Sequence, residues 1–103
     1  MKLADRLMGL EQTVRMLGDF MGIGVPTSFG KNQDLDTWFS IGRRNNAEGN
    51  PKNTPEMFQS HKWTLTSRYF YSRFSYIQEI LLDDNRLYRR VYGERGWTCW
   101  KEM

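Results

Sequence analysis

Few residues in this chain have the types and spacing that catalysis needs. His61 is the only histidine and Cys99 the only cysteine. Together they would make a base and a nucleophile, but no local motif joins them. His61 is followed by Lys62 and Trp63, with no acid beside it. Cys99, close to Trp97 and Trp100, reads as a small buried hydrophobe. The carboxylate pairs Asp34/Asp36 and Asp83/Asp84 read as helix caps rather than as a magnesium site, which needs several converging acids. The run from Gly24 to Lys31 invites comparison with a phosphate-binding loop. Its glycines are one residue too far apart, Asn32 stands where a Ser or Thr would hold magnesium, and no strand is expected before it. A tyrosine-based strand transferase would need Tyr, several Arg and His in one place. The second half has all three types, but basic aromatic segments have them by chance. The expectation is no catalytic residue, no metal and no cofactor, so not an enzyme.

What survives is a mixture of basic and aromatic side chains: Lys62, Trp63, Arg68, Tyr69, Tyr71, Arg73 and Tyr76, then Arg86, Tyr88, Arg89, Arg90, Tyr92, Arg95 and Trp97. Trp, Tyr and Arg are the residues enriched at protein-interface hot spots. Arg forks on phosphate and aromatic stacking also suit nucleic acid. The net charge is +3. Residues 1–50 carry six basic and six acidic side chains and residues 51–103 nine and six, so the excess lies in the second half. Such a surplus permits an acidic partner without requiring one.

The length of 103 residues suits one domain with a modest core, and the 15% aromatic content could fill it economically. A lone cysteine allows neither an intrachain disulfide nor a cysteine-based metal site, which points to a reducing, cytoplasmic setting. No segment approaches the ~18 apolar residues of a membrane span, and Asp5, Glu11 and Gln12 interrupt any signal-peptide reading of the N-terminus.

The elements expected to position these residues are helical. Leu3, Leu7, Leu10, Val14, Leu17 and Met21 are spaced 4, 3, 4, 3 and 4, a heptad seam on a helix over about 2–21. This seam either packs on the rest of the chain or makes a homodimer. Gly22 and Pro26 end it, and residues 22–33 form a loop. Asp34–Ile41 reads as a short helix and 42–53 as a surface loop, its Asn45–Asn53 part the segment most open to a partner. Thr54-Pro55-Glu56 is a helix start. Phe70, Phe74, Ile77 and Leu81, spaced 4, 3 and 4, place one stripe on a long helix within a helical half spanning about 54–92. Asp83-Asp84-Asn85 would kink it. For residues 86–100 the competing reading is a β-hairpin turning at Gly93–Gly96, and residues 93–103 otherwise form an extended tail.

The fold expected is therefore mainly α, a small bundle of three to five helices with a short C-terminal β-hairpin or extended segment. The function expected is a non-catalytic protein–protein interaction module, an inhibitor, adaptor or regulator of a larger machine. Its contacts would come from Arg86, Tyr88, Arg89, Arg90, Tyr92, Arg95 and Trp97, with self-association through the heptad seam. The alternative is a nucleic-acid-binding regulator.

Overall fold

The segment Trp63-Thr-Leu65-Thr-Ser67-Arg-Tyr69 alternates large or buried side chains with β-branched and charged ones. That period of two is what a half-covered strand requires. In the computed structural model, which describes residues 24–103, this segment is a strand, and the protein is a mixed seven-stranded sheet. In chain order the elements are β1 (Thr27–Ser28), a 3-10 turn (Leu35–Thr37), β2 (Gly42–Asn45), helix α1 (Glu56–Gln59), β3 (Trp63–Tyr69), β4 (Tyr76–Leu82), β5 (Leu87–Gly93), β6 (Gly96–Trp97) and β7 (Lys101–Glu102). The spatial order is β1-β2-β3-β4-β5-β6, and β7 also pairs with β5. Among the described strand pairs only β1–β2 is parallel.

The helical bundle is thus overturned. Among the described residues there is no coiled coil, and α1, at four residues, is the longest helix. The expected helical half 54–92 is α1 followed by three strands, and the expected helix 34–41 is one 3-10 turn. The expected loops 22–33 and 42–53 contain β1 and β2. The supposed stripe has a simple explanation. Ile77 and Leu81 are four apart, an even spacing that also puts two residues on one face of a strand. Phe70 and Phe74 lie in the loop between β3 and β4. The heptad seam Leu3, Leu7, Leu10, Val14, Leu17 and Met21 lies outside the described residues.

The register assigns each side chain to a face. Trp63↔Leu82, Leu65↔Ile80, Ser67↔Gln78 and Tyr69↔Tyr76 align across β3–β4, and Ile80↔Tyr88, Gln78↔Arg90 and Tyr76↔Tyr92 across β4–β5. All of these share one face. The connections before β3 lay Phe29, Leu35 and Phe58 on it, each fully buried. These three, with Trp63, Leu65, Ile80, Leu82 and Tyr88, are the core, and Trp38 and Trp100 pack on its edge.

Asp83-Asp84-Asn85 is a hairpin turn rather than a helix kink. The Asn85 amide donates to the Leu82 carbonyl at 3.0 Å, the Leu82 amide donates to Arg86 at 2.9 Å, and Asn85 takes φ 72°. This is a type I turn closed by a left-handed residue, a position Asn tolerates. At the next turn Gly93 pairs with Gly96, which has φ 83°, as the hairpin reading placed it.

Candidate functional site

At one end of the sheet the register brings aromatic residues into a row. Tyr69 aligns with Tyr76, Tyr76 with Tyr92 and Tyr92 with Trp97, one from each of β3, β4, β5 and β6. Adjacent strands lie ~4.8 Å apart, which puts neighbouring rings within reach of one another. Tyr69 meets Tyr76 edge-on at 5.3 Å and Tyr92 meets Trp97 at 5.1 Å. Phe39, from the connection before β2, lies across the row. Its ring is 5.6 Å from Tyr76 and 4.9 Å from Tyr92, and it stacks parallel on Trp97 at 5.7 Å. Tyr76 is the buried member, and its hydroxyl has no hydrogen-bond partner. Burial, with the neighbouring Tyr69 hydroxyl adding to it and the nearby Ser67 hydroxyl, itself turned to the Ser40 carbonyl, opposing it, pushes that phenol up to about 12.

Beyond the row, the β3–β4 loop is an ordered turn with its aromatics outside. The Phe70 amide donates to the Ser75 carbonyl at 3.0 Å and the Ser75 amide to the Ser72 carbonyl at 3.0 Å. The Ser72 hydroxyl accepts from the Phe74 amide at 3.2 Å. Relative exposure is 48% for Tyr69, 63% for Phe70, 89% for Tyr71 and 77% for Phe74. A groove of about 440 Å³ runs between this loop and the β5–β6 turn, lined by Phe39, Tyr69, Arg73, Phe74, Tyr76, Tyr92, Gly93 and Glu94. Arg73 lies over the Phe74 ring at 5.6 Å.

The residues that the sequence nominates for partner binding are dispersed. Tyr92 and Trp97 belong to the aromatic row, and Arg95 is exposed in the adjacent β5–β6 turn. Arg86 is at the opposite end, where it pairs with Asp84 at 2.8 Å and donates to the Tyr88 hydroxyl at 3.2 Å. Arg89 pairs with Glu79 at 3.1 Å, and Arg68 shares that carboxylate. Tyr88 is buried against Phe58, 4.9 Å between rings. Arg90 is buried too. It donates to Gln78 at 2.9 Å and Asp36 at 2.8 Å, with its guanidinium 4.1 Å from the Trp97 ring and 4.6 Å from that of Trp100. Gln78 in turn donates to the carbonyls of Leu35 and Trp38 at 2.9 and 3.0 Å, and the Trp97 indole donates to the Asp36 carbonyl at 2.9 Å. The network fastens the 3-10 turn to β4, β5 and the tail, and so fixes the connection that carries Phe39. Burial lowers the Arg90 pKa, against the opposing hydrogen bond to Asp36.

Other places where chemistry could sit are used for structure. His61 has an acid after all. Its Nδ1 is 2.7 Å from Asp83, brought there by the β4–β5 turn, and Arg86 approaches Nε2 at 3.4 Å. An Arg only donates, so Nε2 accepts and Nδ1–H faces the carboxylate. The His61 bond, and then the Lys62 amide at 3.2 Å, hold Asp83 below the usual carboxylate range. The cluster ties the β4–β5 turn to the start of β3. Beside it an open cleft of about 780 Å³ is lined by the Asn45–Asn50 loop and Gln59–Thr64. That loop is stapled down: Asn46 donates to the His61 carbonyl at 2.8 Å and accepts from the Trp63 amide at 2.9 Å, and Asn50 accepts from the Trp63 indole at 3.2 Å. Cys99 is exposed rather than buried. Among the described residues no group of three or more His, Cys, Asp or Glu side chains is placed to hold a metal ion, and no helix is long and apolar enough to cross a membrane.

Phe70, Phe74 and Phe39 are the site residues missed by the sequence reading, and Tyr71 stands in its basic–aromatic mixture but not among the contacts it nominates. The signal was present: Tyr69-Phe70-Tyr71 and Phe74 with serines between them is a turn with too many large rings for its polar neighbours to cover. Comparison of the chain with protein-family models, curated proteins and solved structures gave no match.

Proposed function

We propose that the protein is a non-catalytic protein-binding module, a small inhibitor, adaptor or regulator of a larger protein machine, that meets its partner through the aromatic end of its sheet. One observation carries this reading: Tyr69, Phe70, Tyr71 and Phe74 are all exposed on a turn that its own hydrogen bonds hold in shape. At ~150–250 Å² per aromatic residue, these exposures leave roughly 400–700 Å² of aromatic residue surface in water. That matches or exceeds the largest apolar patch of a typical monomer, about 300–600 Å², and such patches are often binding sites. The rings lose few rotamers on contact, and the turn is already ordered, so association costs little conformational entropy.

The arginines nearest the alternative reading are occupied. Arg86, Arg89 and Arg90 are held by Asp84, Glu79 and Asp36, and Arg68 shares Glu79. A surface built to neutralise phosphates needs cations free for it. The groove itself carries one cation, Arg73, and one anion, Glu94. This balance supports a protein partner over a nucleic acid.

The test is a photo-crosslinking amino acid placed at position 71 of the full chain in its native host, with Lys62, exposed at the other end of β3, as the control position. The reading expects discrete protein adducts from position 71 and none in common with position 62. Adducts to nucleic acid alone, or equal yields from both positions, would overturn it.

A further inference from the structure

We propose that the protein recognised by the aromatic end is a second copy of this chain, seated around a two-fold axis. The inference rests on the protein-binding reading above and names its partner. Its first support is charge. The groove is flanked by Arg73 from the β3–β4 turn and by Glu94 from the β5–β6 turn. Both are exposed, and neither has an ion-pair partner among the described residues; Arg73 rests on the Phe74 ring. In a two-fold contact every residue pair occurs twice, with the two copies exchanging roles. The groove lining, with one cation on one flank and one anion on the other, is complementary to itself under that rotation, and Arg95, exposed beside Glu94, lies outside that lining. Arg73 of each copy faces Glu94 of the other, and the net charge of the groove stays zero.

The second support is area. Roughly 400–700 Å² of exposed aromatic residue surface on each copy gives about 800–1,400 Å² for the pair when all of it is covered, which spans the ~1,000 Å² at which specific interfaces begin. Phe39, 42% exposed and packed across the row, extends it. The aromatic edges and faces left by Tyr69, Phe70 and Phe74 pack on copies of themselves in the offset and edge-on geometries already present within the row.

The contact is tested on the full chain by sedimentation equilibrium from micromolar to near-millimolar concentration. The proposal expects a species of twice the 12.3 kDa chain mass. Arg73→Glu and Glu94→Arg each place two like-charge pairs in the contact, so each weakens dimerisation about tenfold or more. The double variant Arg73→Glu/Glu94→Arg restores the wild-type dissociation constant to within about threefold. Both side chains are exposed, so the variants fold, which near-ultraviolet circular dichroism of the aromatic row checks. A monomer throughout the range, a dimer that ignores both single swaps, or single losses that the double swap does not restore would each overturn the proposal. A monomer that still forms protein adducts from position 71 would overturn self-pairing and leave the interaction surface standing. A monomer that forms none would overturn both.

Discussion

Removing Arg90 gives the sharpest test of how the aromatic end is held. Arg90→Met keeps an apolar stem between Trp97 and Trp100 and removes the guanidinium that sits 4.1 and 4.6 Å from their rings. Three losses follow. The Gln78 carbonyl oxygen, fully buried, has no partner left, which costs ~1–2 kcal/mol. Two cation–π contacts go, at ~2 kcal/mol each for a desolvated guanidinium. The bond to Asp36 goes as well, but the Asp36 side chain is 45% exposed and rehydrates, so that loss counts for only ~0.5 kcal/mol. Against these, the variant no longer desolvates a charge, which returns ~3 kcal/mol. The balance is a destabilisation of about 2.5–3.5 kcal/mol, a large part of the ~5–15 kcal/mol of a typical domain. Urea denaturation followed by tryptophan fluorescence measures it, because Trp97 and Trp100 flank the change. Arg90→Lys recovers less than half, since an ammonium cannot fork to Gln78 and Asp36 while lying flat between two indoles. A loss below about 0.5 kcal/mol for Arg90→Met, or full recovery with Lys, would refute the argument.

Two further outcomes follow from single groups. Tyr76→Phe deletes a buried hydroxyl without a partner, so it leaves stability unchanged or raises it by up to ~1 kcal/mol in the same denaturation assay; a loss above that size would contradict it. Asp83→Asn acts through linkage: the folded pKa lies below the ordinary 3.8, so the carboxylate's contribution is whole above that value and lost as pH falls through the folded one. The variant is therefore less stable than wild type at pH 6, and the gap is narrower at about pH 3, below the ordinary carboxylate value. Urea midpoints at the two pH values check this, and a gap independent of pH would sink it.

The strands were harder to read than the turns, for a physical reason. β4 is central and carries apolar residues on both faces, Tyr76, Ile80 and Leu82 on one and Ile77 and Leu81 on the other. A central strand loses its alternation, and an apolar run of that length looks like part of a helix. Thr64 and Thr66 of β3 carry the true period, as β-branched residues alternating with Trp63, Leu65 and Ser67, but so short a run does not outweigh a helical pattern. Turn chemistry was local and so visible: Asp83-Asp84-Asn85 marked a break and Gly93–Gly96 a hairpin, because each needs only neighbouring backbone. The site was half legible. An excess of aromatic surface could be counted in the sequence, and Tyr92 and Trp97 do stand in the row. Which arginines are spent on core and strand pairing depends on register between β4 and β5, and Arg90 beside Gln78 is a contact across two strands that no local pattern encodes.

The most direct measurement of the central claim is the yield of protein adducts from a photo-crosslinker at position 71, compared with position 62, in the host that makes the chain. The account predicts discrete protein adducts, self-adducts among them, from position 71 alone. Equal yields from the two ends of the sheet, or nucleic-acid adducts without protein ones, would contradict it.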